Sequence, residues 1–89
     1  MKHVFIINPS AGKSHRRQRL YAMADALRQR HEQDVECILT ASPGHAAVIA
    51  RTLAESGGAV RLYACGGDGT LNEVVNGAAG YANISVTCI

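Results

Sequence analysis

Gly66-Gly67-Asp68-Gly69-Thr70 lies between an apolar run that begins at Ala59 and a helix-like pattern that leaves at Thr70. These residue types read as strand, tight loop, helix. Glycines leave backbone N–H groups open to close approach, and the start of a helix adds the positive end of a dipole, so the stretch suits a bound phosphate. Asp68 then needs a reason, because a carboxylate beside phosphate would repel it. It is accounted for if a cation lies between the two, or if the carboxylate takes a proton from an attacking hydroxyl. Either role belongs to phosphoryl transfer rather than to storage of a nucleotide.

The elements that position this loop follow from the rest of the chain. Val4-Phe5-Ile6-Ile7 is a continuous β-branched and aromatic run that Asn8-Pro9 ends, since proline offers no ladder N–H, and it reads as a buried central strand. Gly12-Lys13-Ser14 is not a Walker A loop, because Ile7 stands where that motif needs its first glycine. The stretch is either a different phosphate loop, with Gly12 allowing close approach, or an ordinary turn with Ser14 as N-cap. Residues 15–32 place Leu20, Met23, Ala24 and Leu27 at helical spacing, with Arg16, Arg17, Arg19, Arg28 and Arg30 on other faces. Arginines in the first turns lie where a triphosphate or anionic headgroups could approach. Residues 35–40 form a second strand nearer a sheet edge, and Thr40 ends it on the same side as the glycine loops.

Ser42-Pro43 reads as a helix start, with Ser42 as N-cap, and Ala46, Ile49, Ala50, Leu53 and Ala54 supply one apolar face before Gly57-Gly58 stops the helix. His45, in its first turn, is either a structural or solvated residue or a ligand contact. Residues 60–65 form the third strand. Thr70 and Glu73 match a capping box, threonine as N-cap and glutamate reaching back. The last helix is expected to bury Leu71, Val74, Val75 and Ala78 and to end near Gly77 or Gly80, followed by a fourth strand over residues 84–89. This alternation predicts a three-layer α/β fold on a parallel sheet with right-handed crossovers. For one ligand to meet the loops after the first and third strands, those strands must be neighbours. The order is then 2-1-3-4, with the site at the switch point.

Composition narrows the function classes. With 89 residues the chain is one small domain, and 47% hydrophobic residues with few aromatics suit parallel strands covered by helices and exclude a disordered chain. A net charge of +2, with the basic residues gathered before Ser42, gives no ground for a nucleic-acid partner. Cys37, Cys65 and Cys88 have no metal-ligand spacing and read as buried, reduced thiols of a cytoplasmic protein. No stretch is long and apolar enough to span a membrane, so membrane contact would be peripheral.

The run from Gly66 to Gly77 resembles the catalytic domain of the diacylglycerol kinase and sphingosine kinase family, as found in bacterial members. The five-residue core is shared with NAD kinases, but the continuation Leu71-Asn72-Glu73-Val74-Val75-Asn76-Gly77 is that of the lipid kinases. Asn8-Pro9-Ser10-Ala11-Gly12-Lys13, and Thr40 with Gly44-His45-Ala46, extend the resemblance along nearly the whole chain. It implies the N-terminal part of a nucleotide-binding domain of the NAD kinase and diacylglycerol kinase type, in an enzyme that uses Mg2+ to transfer the γ-phosphoryl group of ATP to a lipid hydroxyl. Asn8, Pro9, Gly12 and Lys13 would then meet nucleotide phosphates and Thr40 the nucleotide. Gly66, Gly67, Gly69 and Thr70 would line the triphosphate, and Asp68 would be catalytic, as metal organiser or proton acceptor. Family members continue with more strands and a second, mostly β domain, so residues 1–89 read as an N-terminal portion, inactive alone. Its uncharged, proline-free last strand would be open to a second copy. Two alternatives stand beside this reading: a non-catalytic nucleotide-binding module, and an enzyme like NAD kinase, whose first loop lacks the Asn-Pro-x-x-Gly pattern.

Overall fold

The computed structural model describes residues 1–10, 14–31 and 34–89. Strands β1 (Lys2–Ile7), β2 (Asp34–Leu39), β3 (Val60–Cys65) and β4 (Ile84–Cys88) alternate with helices α1 (Ser14–His31), α2 (His45–Glu55) and α3 (Asp68–Ala78). All strand pairs are parallel and the order is β2-β1-β3-β4, as the sequence predicts. β1 pairs on both sides, and Val4 through Ile7 are at most 2% exposed, which is why the run carries no alternating polar residues.

The sheet's two faces carry separate cores. Val4, Ile6, Leu62 and Ala64 pack against Ala46, Ile49 and Ala50 of α2 and Val74 of α3. On the other face Phe5, Ile7, Val35 and Cys65 meet Leu20 and Ala24 of α1. Met23 and Val75 fall at helical spacing but are 46% and 47% exposed, because the neighbouring layer does not reach that far round either helix. Cys65 is buried and Cys37 half-buried, whereas Cys88 is exposed near the end of the outer strand β4, contrary to expectation. Asn83, just before β4, donates from Nδ2 to the carbonyls of Ala54 and Gly58 and ties the end of α2 to the sheet.

Both helix starts beside the loops differ from the predicted caps. Ser42 is not the N-cap of α2. It opens a turn in which His45 N–H donates to the Ser42 carbonyl at 3.1 Å, with Pro43 second and Gly44 third at φ 87° and ψ −16°. Those angles and residue types define a type II turn, so Pro43-Gly44 is used before the helix rather than inside it. Thr70 is not the N-cap of α3 either. Gly67, at φ 88° and ψ −168°, lets the helix begin at Asp68, which leaves Thr70 inside the first turn and 5% exposed. At the far end of α2, Gly57 takes a positive φ of 89° and its N–H donates to the Ala54 carbonyl, the predicted stop. α3 ends at Ala78, between the two glycines expected to stop it, and Gly77 lies in its last turn, where a Cβ would run into the Ala47 carbonyl and come within 2.9 Å of Ala50 Cβ on α2.

Candidate functional site

The parallel ladder continues one step past the strands. Asn8 N–H donates to the Cys65 carbonyl and Thr40 N–H to the Ile7 carbonyl, each at 2.9 Å, so three loops leave the sheet side by side. They enclose a cleft of about 330 Å³. Asn8, Pro9 and Ser10 line it after β1, residues 40–43 after β2, and Gly66, Gly69 and Thr70 after β3, with Ala46 and Glu73 from the two helices. The cleft therefore sits at the carboxyl ends of the strands, at the switch point between β1 and β3.

Each wall has a local cause. Asn8 Oδ1 accepts from Ser10 N–H at 3.0 Å and from Ser10 Oγ at 2.8 Å, an Asx turn that bends the chain away from β1. Gly66 has no room for a side chain: a Cβ would strike Thr70 Oγ1 and lie 2.7 Å from Asn8 Cβ. The loops after β1 and β3 are thus in contact at this residue. Gly67 turns the chain, and Leu71 N–H, donating to the Gly67 carbonyl, makes the first helical bond of α3. The amides of Asp68, Gly69 and Thr70 precede it and have no intrahelical acceptor, and they open the positive end of α3 beside the cleft.

Of the ten predicted site residues, Asn8, Pro9, Thr40, Gly66, Gly69 and Thr70 line the cleft. Gly67 shapes the turn behind it. Asp68 stands exposed on the outer rim, where with Gly69, Leu71 and Asn72 it borders a second, shallow depression. Gly12 and Lys13 lie outside the described residues. His45 is not part of the cleft lining; its Nδ1 accepts from Ala41 N–H at 2.8 Å. Glu73, read from sequence as a local capping partner, lines the cleft, and its Oε1 accepts from Gly44 N–H at 3.1 Å. The capping-box spacing was the signal for Glu73, but it pointed to the wrong amide.

The chemistry available here is anion binding by backbone amides beside two carboxylates. At the foot of the loop Cys65 is buried, and burial pushes its thiol up to about 12, which keeps it protonated at neutral pH. Among the described residues no three His, Cys, Asp or Glu side chains gather as a metal cage. No helix among them is long and apolar enough to cross a membrane.

Comparison with known proteins agrees with this geometry. The family described as "Diacylglycerol kinase catalytic domain" matches residues 2–89. A Bacillus subtilis (strain 168) protein named "Putative lipid kinase YtlR" is 37% identical over an alignment of 89 positions that covers 96% of this chain and 28% of that protein. A solved structure, "Crystal structure of a putative diacylglycerol kinase from Bacillus anthracis str. Sterne", superposes with a TM-score of 0.75 at 26% identity, covering 99% of this chain and 29% of the other. The chain thus spans less than a third of the length of either protein.

Proposed function

Because the chain belongs to the diacylglycerol kinase catalytic domain family, we propose that it supplies the ATP-binding part of a kinase that phosphorylates a lipid hydroxyl such as that of diacylglycerol. The observation that carries this reading is the convergence of the loops after β1, β2 and β3 on one cleft beside the start of α3. That arrangement fits a polyphosphate. Gly66, Gly69 and Thr70 bring main chain and a hydroxyl to the cleft surface, and the first-turn amides of α3 favour negative charge. Thr40 and Asn8 face it from neighbouring strand ends. Proposed phosphate contacts from Gly12 and Lys13 would complete the β1 side.

The donor set also fits Mg2+ that arrives with the nucleotide, since this ion keeps several waters and takes one or two carboxylates plus phosphate oxygens rather than a protein cage. Asp68, exposed at the rim, is the carboxylate for that purpose or for the hydroxyl proton. Bound Mg2+ would neutralise charge on the phosphates; the chain's own part is to hold them in line and keep Asp68 at the rim. A lipid hydroxyl implies peripheral work at a membrane surface, with catalysis in a longer protein that carries this chain. The exposed outer edge of β4 is proposed as a place where a second copy pairs.

Transfer of label from [γ-32P]ATP to a panel of lipids by such a protein, alongside MgATP titration of the 89-residue chain, tests the reading. Labelled lipid from the longer protein, with weak nucleotide binding and no lipid turnover by the chain alone, is the expected result. Absence of transfer to every lipid alcohol, with transfer to a soluble acceptor, would sink the lipid part.

A further inference from the structure

The cleft wall formed by residues 40–44 is held by side chains that sequence reading gave other tasks. Two of its amides donate to them: Ala41 N–H to His45 Nδ1 at 2.8 Å, and Gly44 N–H to Glu73 Oε1 at 3.1 Å. Between the two lies the type II turn, closed on the Ser42 carbonyl. A backbone amide can only donate, so Nδ1 is the acceptor and the His45 ring is the tautomer protonated at Nε2. Glu73 reaches from the second turn of α3 to the residue before α2, joining the helices that flank the glycine loop and the 40–44 wall. Thr40 and Ala41 line the cleft directly beyond these anchors.

We propose that His45 and Glu73 are positioning residues that hold residues 40–44 as a fixed wall of the nucleotide site, His45 acting through Nδ1 alone. The effect on nucleotide binding rests on the functional reading above, whereas the anchoring does not. A histidine at a helix start is ordinarily solvated. Here its ring nitrogen instead satisfies an amide four residues back, in a loop that the strand ladder holds only at Thr40.

The test uses amide hydrogen exchange and MgATP titration on the 89-residue chain. Asparagine places an oxygen where Nδ1 sits, whereas glutamine places its polar atoms at the Nε2 position. His45→Ala and His45→Gln should speed Ala41 exchange by about tenfold and weaken MgATP binding by about three- to tenfold, the scale of one lost hydrogen bond, and His45→Asn should restore both. Glu73→Ala should expose the Gly44 amide, and Glu73→Gln, which keeps an acceptor, should protect it. In the unaltered chain the imidazole 15N shifts should report the Nε2–H tautomer, a measurement that needs no variant to fold. Unchanged Ala41 exchange in His45→Ala, equal behaviour of the asparagine and glutamine variants, or an Nδ1–H tautomer would overturn the proposal. If the unaltered chain binds no MgATP while Ala41 exchange still follows the acceptor, the nucleotide reading fails and the anchor stands.

Discussion

Residues 66–69 and residues 40–44 face one another across the cleft, yet the first segment takes its shape from side chains that are missing and the second from side chains that reach in from outside. Gly66 has no room for a Cβ, and Gly67 adopts a positive φ that favours glycine. The opposite wall contains Pro43 and Gly44 in a standard turn, but its Ala41 and Gly44 amides are satisfied by His45 and Glu73. The glycine loop therefore has no place for a side chain at Gly66 or Gly67, whereas the opposite wall needs the two that reach it. They also divide the labour: the glycine loop presents main chain with the exposed Asp68 carboxylate beside it, and the anchored loop presents shape.

The sharpest way to break that division is at Asp68. On the functional reading proposed above, Asp68→Asn in a longer protein that carries this chain should cut turnover by about 100-fold while MgATP affinity changes by less than about threefold, since a group that places metal or accepts a proton acts on the reaction rather than on binding. Near-normal turnover would remove Asp68 from the chemistry.

An added methyl tests the glycine loop itself. Gly66→Ala should weaken MgATP binding by about tenfold and cost about 1–3 kcal/mol of stability, the usual range for overpacking, as read by titration and urea denaturation. Thr70→Ala in the same chain should recover part of both losses, because Thr70 Oγ1 is the first atom the methyl meets. Full recovery would show that Asn8 Cβ, at 2.7 Å, is free to give way.

Outside the cleft, β4 offers a check on whether association disturbs either wall. Its residues Ile84–Cys88 carry no charge and no proline, and they pair only with β3 among the described strands. Sedimentation should find a mass above 9.4 kDa that falls on dilution. A strict monomer at every concentration would show that the edge is tolerated.

The smallest expected effect is at Cys65, at the foot of the glycine loop. Burial raises its folded-state value from 9.0 to about 12, so the thiol's contribution to stability is complete below 9.0 and is lost as pH rises from there toward 12. Urea denaturation at pH 8 and pH 10 should show a steeper decline for the unaltered chain than for Cys65→Ala. A thiol reagent at neutral pH should modify exposed Cys88 first and leave Cys65 untouched.

Much of this architecture is legible in the chain. The continuous run Val4-Phe5-Ile6-Ile7 marks a strand covered on both sides, and the demand that two phosphate loops meet one ligand is enough to order the sheet. What escaped reading is non-local. Thr70 and Glu73 carry a capping-box spacing, but the amide that Glu73 accepts from belongs to Gly44, 29 residues away, and no local pattern encodes that pairing. Ser42-Pro43 satisfied the rules for a helix start and for a type II turn equally, and Gly44 decided for the turn. Helical spacing assigned Met23 and Val75 to a buried face because spacing gives a direction but not the extent of the layer opposite.

Gly77 carries a consequence for the site that it never touches. α2 and α3 both begin beside the cleft, and about one turn beyond the Glu73 anchor they meet where Gly77 lies against the Ala47 carbonyl. That backbone contact works as a calliper stop. The gap between the two walls is gauged from outside the cleft, by the absence of a methyl group, and Gly77→Ala should act as a wedge that shifts the jaw bearing Glu73 relative to the jaw bearing Gly44.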